Sequence, residues 1–138
     1  MCPGRWWRLA VPVRLTQTLA IATGGAMGAL MRYWISNGVH ALAGRGFPYG
    51  TMTVNVLGSL LMGFLYIYLL DRVMAGPALR AFMLIGVLGA FTTFSTFSLE
   101  TLNLLESGYV HKAILNVIAS VVVCIAAAAL GILAARQI

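Results

Sequence analysis

The chain has 138 residues, 61% of them hydrophobic and only 9% charged, with a formal net charge of +6. That length suits one domain, and so apolar a composition excludes an ordinary soluble protein, whose apolar share is nearer about 45–50%. The positive charges are scattered between apolar stretches and leave no fold-sized basic face, which favours headgroup contact over nucleic acid.

Taken in chain order, Cys2-Pro3-Gly4-Arg5-Trp6-Trp7-Arg8 reads as a basic, aromatic lead lying in solvent or at an interface. Four apolar stretches follow, at about residues 15–36, 51–70, 79–99 and 113–135. About 20 helical residues cover a hydrocarbon core of about 30 Å. The sequence therefore predicts an all-α, multi-pass membrane protein with four transmembrane helices, residues 1–138 forming a single transmembrane domain. The first stretch begins too late and runs too long for a signal peptide, and no small-residue cleavage site follows it. It carries Gly24-x-x-x-Gly28 and Gly25-x-x-x-Ala29, small surfaces that let helix backbones approach.

The first connection, residues 37–50, is punctuated by Gly38, Gly44, Gly46, Pro48 and Gly50. On the second stretch Thr51, Asn55 and Ser59 form one polar row at successive turns, beside the small residues Gly58 and Ser59-x-x-x-Gly63. Gly76-Pro77 marks the second connection, and Gly108 breaks a third that is partly helical. On the fourth stretch Asn116, Ser120 and Cys124 repeat the polar spacing. Connections this short predict that sequence-adjacent helices pack as neighbours, with no room for a catalytic domain.

The third stretch is the least lipid-like. Phe91-Thr92-Thr93-Phe94-Ser95-Thr96-Phe97-Ser98 places five hydroxyl side chains among phenylalanines. In hydrocarbon each needs a partner, water or a solute. Two readings of the polar rows stand: hydrogen-bond glue between helices, or the lining of an ion or solute path. Gly86-Val87-Leu88-Gly89-Ala90 precedes the threonines, so this helix is either continuous or broken at mid-membrane. A break would free backbone carbonyls for a small cation.

Arg5, Arg8, Arg14, Arg72, Arg80 and Arg136 lie on the side of the termini, against Arg32, Arg45 and Lys112 on the other. The bias of 6 to 3 favours cytoplasmic termini, and without the distal Arg5 and Arg8 it falls to 4 to 3, compatible with insertion both ways round. Cys2 and Cys124 make no disulfide pattern, and His40 and His111 sit near span ends with no metal-site spacing. No nucleotide-binding loop is present, so the sequence predicts neither an enzyme nor a nucleotide-driven pump.

Three segments together resemble the bacterial fluoride channel family, also called fluoride exporters. They are Gly24-Gly25-Ala26-Met27-Gly28-Ala29-Leu30-Met31-Arg32-Tyr33, Gly50-Thr51-Met52-Thr53-Val54-Asn55-Val56-Leu57-Gly58, and Gly86-Val87-Leu88-Gly89-Ala90 running on through Phe91-Thr92-Thr93-Phe94-Ser95-Thr96-Phe97-Ser98 to Glu100. The likeness is dense over the first three stretches and rests on position and polarity in the fourth. It implies a bacterial inner-membrane channel for passive fluoride export that reduces fluoride toxicity. It further implies an antiparallel, dual-topology homodimer with two pores, its third helices broken, and a structural sodium ion at the dimer centre held by the carbonyls of Gly89 and Thr92. By motif position Asn55 would donate to fluoride, Phe94 and Phe97 would line the pore, and Thr51 and Ser120 would belong to its polar track. Arg32 and Glu100 would serve the vestibule or a structural pairing. Ala90 stands where many relatives have glycine, and Asn116 about where some have tyrosine.

The residue types suit that anion. Fluoride holds its water tightly, so a pore must replace the shell with good donors. The Asn55 amide qualifies, as do the hydroxyls of Ser95, Thr96, Ser98 and Ser120 where they face the path. Phenylalanine presents a positive ring edge, and Phe94 and Phe97 share a helical face. A small multidrug antiporter is disfavoured, because spans one, two and four lack a carboxylate and Glu100 ends the third. An accessory protein whose polar rows only join helices is the remaining rival.

Overall fold

The computed structural model describes residues 14–138, so the expectations for the Cys2 tail and for Arg5 and Arg8 lie outside the described residues. The described residues are helical, with no strand among them. Helix α1 spans Leu15–Ala43 and α2 spans Tyr49–Ile67, continued by a π-helical turn at Tyr68–Arg72. The third stretch runs through α3 (Pro77–Arg80), a π-helical segment (Ala81–Leu88), α4 (Gly89–Phe91) and α5 (Phe94–Glu106), and α6 closes the chain at Val110–Gln137.

The helix ends follow local chemistry. Gly44 takes φ +80°, and its N–H returns to the His40 carbonyl at 3.0 Å, ending α1 seven residues later than the expected span. Gly38, expected to help turn the chain, lies inside that helix. Pro77 begins α3, where a missing N–H costs nothing. At the end of α5, Gly108 has φ +79°, with Gly108 N–H on Leu105 O at 3.0 Å and Tyr109 N–H on Leu104 O at 2.8 Å. That pair of bonds is a Schellman motif, which only an αL residue permits, so Gly108 breaks the chain as its position predicts.

Three helical stretches, Tyr49–Asp71, Pro77–Glu106 and Val110–Gln137, are long and apolar enough to cross a membrane. Helix α1 has 29 residues, ample length, but Gln17, Arg32, Asn37 and His40 dilute its apolar content below that of the other three. Thr18 and Thr23 of α1 stay compatible with an apolar setting by bonding backward, Thr18 Oγ1 to Arg14 O at 3.3 Å and Thr23 Oγ1 to Leu19 O at 2.9 Å.

Sequence neighbours touch, as α1 does α2 and α5 does α6, but the heavier packing joins alternate helices. The dominant contacts join α2 to α6 and α1 to the first half of the third stretch. Small residues decide this pairing. A Cβ on Gly28 would collide with the Val87 carbonyl, one on Gly63 with Ala128 O, and one on Gly131 with Leu60 O. Backbones approach that closely only where glycine removes the side chain. Gly25 meets nothing within 4 Å, so of the two small pairs on α1 only Gly24 and Gly28 pack inside the chain. Helix α6 buries Ala113, Asn116, Ser120, Ala127, Gly131 and Ala135 and exposes Ile118, Val122, Ile125 and Leu130. Small and polar residues inside with large apolar ones outside is the arrangement a lipid solvent favours.

Candidate functional site

The third stretch is broken at Thr92 and Thr93, near the middle of Pro77–Glu106. Thr92 has φ −79° and ψ 154°, and Thr93 has φ −149° and ψ 118°, both extended. The glycines are not the cause, since Gly86 and Gly89 remain helical. Gly86 instead lies against Gly24 and the Ile21 carbonyl of α1. The threonines make the break. Thr93 is the N-cap of α5, its Oγ1 accepting from Thr96 N at 3.2 Å and donating to Thr96 Oγ1 at 3.0 Å. Thr92 Oγ1 closes the preceding helix on Leu88 O at 3.0 Å.

Asn55 holds the junction from α2. Its Oδ1 accepts from Thr93 N–H at 2.7 Å, and its Nδ2 donates to Thr93 O at 3.0 Å. The amide thus satisfies the Thr93 N–H that the break frees, which would otherwise be costly in an apolar interior, and adds a second bond to the carbonyl of this N-cap residue. One N–H of Nδ2 stays free for a ligand. Gly58, one turn along α2, lets Thr92 Cγ2 and the Phe91 ring settle against that helix.

The diverted donors have a second consequence. In a continuous helix Thr93 N–H would bond Gly89 O and Thr96 N–H would bond Thr92 O. Here the first goes to Asn55 and the second to the Thr93 hydroxyl. The carbonyls of Gly89, Ala90, Phe91 and Thr92 all lose their helical donors at the break, and Gly89 lies at the exposed surface. Carbonyl oxygens without a donor are the ligand type that a hard cation takes. No cluster of metal-ligating side chains occurs among the described residues.

Two cavities share Thr93 in their walls. The larger, about 450 Å³, is lined by Asn55, Ser59, Phe94, Phe97, Ser120 and Cys124 among mostly apolar neighbours. Phe94 is 77% exposed, and its ring centroid lies 5.4 Å from that of buried Phe97, tilted by 41°. The smaller, about 260 Å³, is lined by Arg32, Ser36, Asn37, Thr51, Thr93 and Thr96. A third space of about 490 Å³ adjoins it through Asn37 and holds His40, Arg45, Glu100 and Lys112. There Lys112 Nζ donates to Gly46 O at 3.0 Å, and one Glu100 carboxylate oxygen, Oε2, is buried without a hydrogen-bond partner.

The polar rows of α2 and α6 thus meet across one cavity through Asn55, Ser59, Ser120 and Cys124. Thr51 does not join them: it is buried and faces the smaller cavity beside Arg32. Arg32 and Glu100 occupy different spaces. Ser95 and Ser98 are exposed and line none of these cavities, Ser98 Oγ donating to Phe94 O at 2.9 Å. Asn116 is 1% exposed and bonds Thr101 Oγ1 at 2.8 Å. Sequence reasoning missed Thr93 and Thr101 as organising residues. For Thr93 a signal existed, a threonine with Thr96 three residues on, placed as an N-cap is.

Comparison with known proteins meets this geometry. The sequence model of a family described as CrcB-like protein, Camphor Resistance (CrcB), matches residues 19–132. Over 119 residues the chain is 55% identical to the fluoride-specific ion channel FluC of Methylococcus capsulatus, covering 86% of this chain and 52% of that protein. It is 53% identical over 118 residues to the FluC of Magnetococcus marinus, covering 86% of this chain and 96% of that one. The FluC of Geobacter sulfurreducens is 50% identical over 124 residues, or 90% of this chain and 100% of its own length. The chain thus spans about half the length of the first relative and nearly all or all of the other two.

Proposed function

The chain belongs to the CrcB-like family, and from that footing we propose that it is a passive, fluoride-selective ion channel. It is a multi-pass integral protein of the bacterial inner membrane and not an enzyme. The observation that carries the channel reading is the Asn55–Thr93 junction. It keeps a free amide N–H in the wall of an aromatic, hydroxyl-lined cavity, and its Thr93 stands between that cavity and a second one bearing Arg32. An anion arriving near Arg32 and Thr51 passes this N–H and the edges of Phe94 and Phe97 before reaching Ser120. Weak, multiple ligands suit conduction, because an ion held tightly does not leave. Arg32, Arg45 and Lys112 raise the local anion concentration at the entry side by their field.

The working unit of this proposal is an antiparallel homodimer of four-span subunits, able to insert both ways round, with two pores. The exposed ring of Phe94 and the open face of Gly25 support a second copy closing over the subunit. Ser95 and Ser98 join the path only under such a cover. A sodium ion at the dimer centre would be held by the carbonyls of Gly89 and Thr92, whose helical donors are engaged elsewhere. It would supply a fixed positive charge that binds the subunits and offsets anion repulsion. Fluoride that enters acidified surroundings as its neutral acid ionises in the more alkaline cytosol, and membrane potential then drives it out through the channel.

The test is fluoride efflux from liposomes carrying Asn55→Leu and Phe94→Ala variants that still elute as dimers. Reduced efflux in both supports the path. Wild-type efflux in both removes the pore assignment.

A further inference from the structure

One hydrogen-bond chain runs behind the larger cavity. Ser120 Oγ lies 3.4 Å from Asn116 Oδ1, Asn116 Nδ2 lies 2.8 Å from Thr101 Oγ1, and Thr101 Oγ1 lies 2.7 Å from Phe97 O. The direction of this chain is fixed at its far end. A main-chain carbonyl only accepts, so Thr101 must donate to Phe97 O. Thr101 Oγ1 therefore accepts from the NH2 of Asn116, which turns the amide oxygen toward Ser120 and makes Ser120 the donor. The Ser120 proton is thereby directed into the protein, and its lone pairs face the cavity that holds Asn55, Phe94 and Phe97.

We propose that Thr101 is a positioning residue: acting through the buried amide of Asn116, it keeps the Ser120 hydroxyl proton withheld from an anion in the cavity. Neither Thr101 nor Asn116 lines that space. The inference rests on the channel reading. The link to Ser120 is the longest of the three, beyond the usual O–H···O range, so a passing fluoride can borrow the proton briefly. Doing so leaves Asn116 Oδ1 without its donor, and this 1% exposed amide has no water to turn to. Asn116 therefore reclaims the proton once the ion moves on, limiting how tightly the cavity holds it.

Replacing Thr101 should reverse the chain. In Thr101→Val the Asn116 NH2 loses its acceptor in a buried setting. Half a turn of the amide restores one by placing NH2 on Ser120 Oγ, and leaves the carbonyl as the orphan, the more tolerable of the two. Ser120 then points its proton into the cavity permanently.

The experiment measures fluoride efflux from liposomes against internal fluoride concentration for the full-length wild type, Thr101→Val, Thr101→Ala and Thr101→Ser. The half-saturating concentration should fall by about 3- to 10-fold in the valine and alanine variants, the effect of one exchanged hydrogen bond. Their maximal rate should fall too, and Thr101→Ser should behave as wild type. Alanine serves if the valine variant does not fold. An unchanged half-saturation in the hydroxyl-free variants, with wild-type efflux intact, overturns the positioning role alone. A serine variant shifted as far as valine also overturns it, by assigning the effect to the lost methyl. A wild type that releases no fluoride overturns the channel reading and this inference together.

Discussion

Helix α2 makes two contacts of opposite kinds. Toward α6 it is joined by subtraction: Gly63 meets the Ala128 backbone, and Gly131 meets that of Leu60. Toward the third stretch it is joined by addition, Asn55 supplying a donor and an acceptor to the backbone at Thr93. The seam is continuous, with small residues and no side-chain hydrogen bond between its two helices among the described contacts. The junction is irregular, and side chains bond the Thr93 N–H and the Thr96 N–H in place of helical carbonyls. Without water the backbone can be left intact and packed, or broken and repaid with side-chain hydrogen bonds. A solute path needs the second arrangement, and the first holds it still.

The largest effect should come from Asn55→Leu. It strands the Thr93 N–H, at about 1–3 kcal/mol, and removes the amide N–H from the cavity. Fluoride efflux should fall by about 30-fold or more at about 1.4 kcal/mol per tenfold, with a lower thermal midpoint in detergent. Unchanged efflux would dissolve the contrast between junction and seam. Gly131→Val should act on the seam, lowering stability by about 2–4 kcal/mol as overpacking and helix separation do. Denaturant titration in detergent would show it, and an unaffected midpoint would mean that α2 and α6 tolerate parting.

Phe94→Ala separates path from packing. The ring is exposed within the subunit, so subunit stability should change by no more than about 0.5 kcal/mol, while efflux falls up to about tenfold, the worth of one aromatic edge contact. Ser98→Ala should do least, with efflux within about twofold and stability within about 0.5 kcal/mol, because its hydroxyl serves Phe94 O within the same helix. A large loss of efflux in Ser98→Ala would show that this hydroxyl leaves Phe94 O for the ion once a second copy covers it.

The sequence made the junction's ingredients legible and its wiring only partly so. Rows at one-turn spacing survive folding because helical phase is local, which is why Asn55 with Ser59 and Ser120 with Cys124 reach the same cavity. Thr51, one turn from Asn55, faces another cavity because the break at Thr93 stands between them. The glycines Gly86 and Gly89 and the hydroxyls of the two threonines after them together suggested a break in the third helix, and the extended residues are the threonines, Thr92 and Thr93. Glycine permits a break, whereas capping hydroxyls and an outside amide stabilise one. That amide lies 38 positions away, beyond any local signal. Pairing of alternate helices was equally hidden, because short loops bring neighbours close without fixing which faces meet. Asn116 read as part of a polar stripe, and only the reach of Thr101 from α5 shows that its amide is fully engaged.

The most direct measurement is anion release from liposomes containing the purified wild-type protein, with a potassium ionophore balancing charge and chloride run in parallel. Rapid fluoride release with negligible chloride release is the result this account predicts. No fluoride release from folded protein, or chloride released as fast as fluoride, would contradict a fluoride-selective path and leave the polar rows as the bonds that hold four helices together.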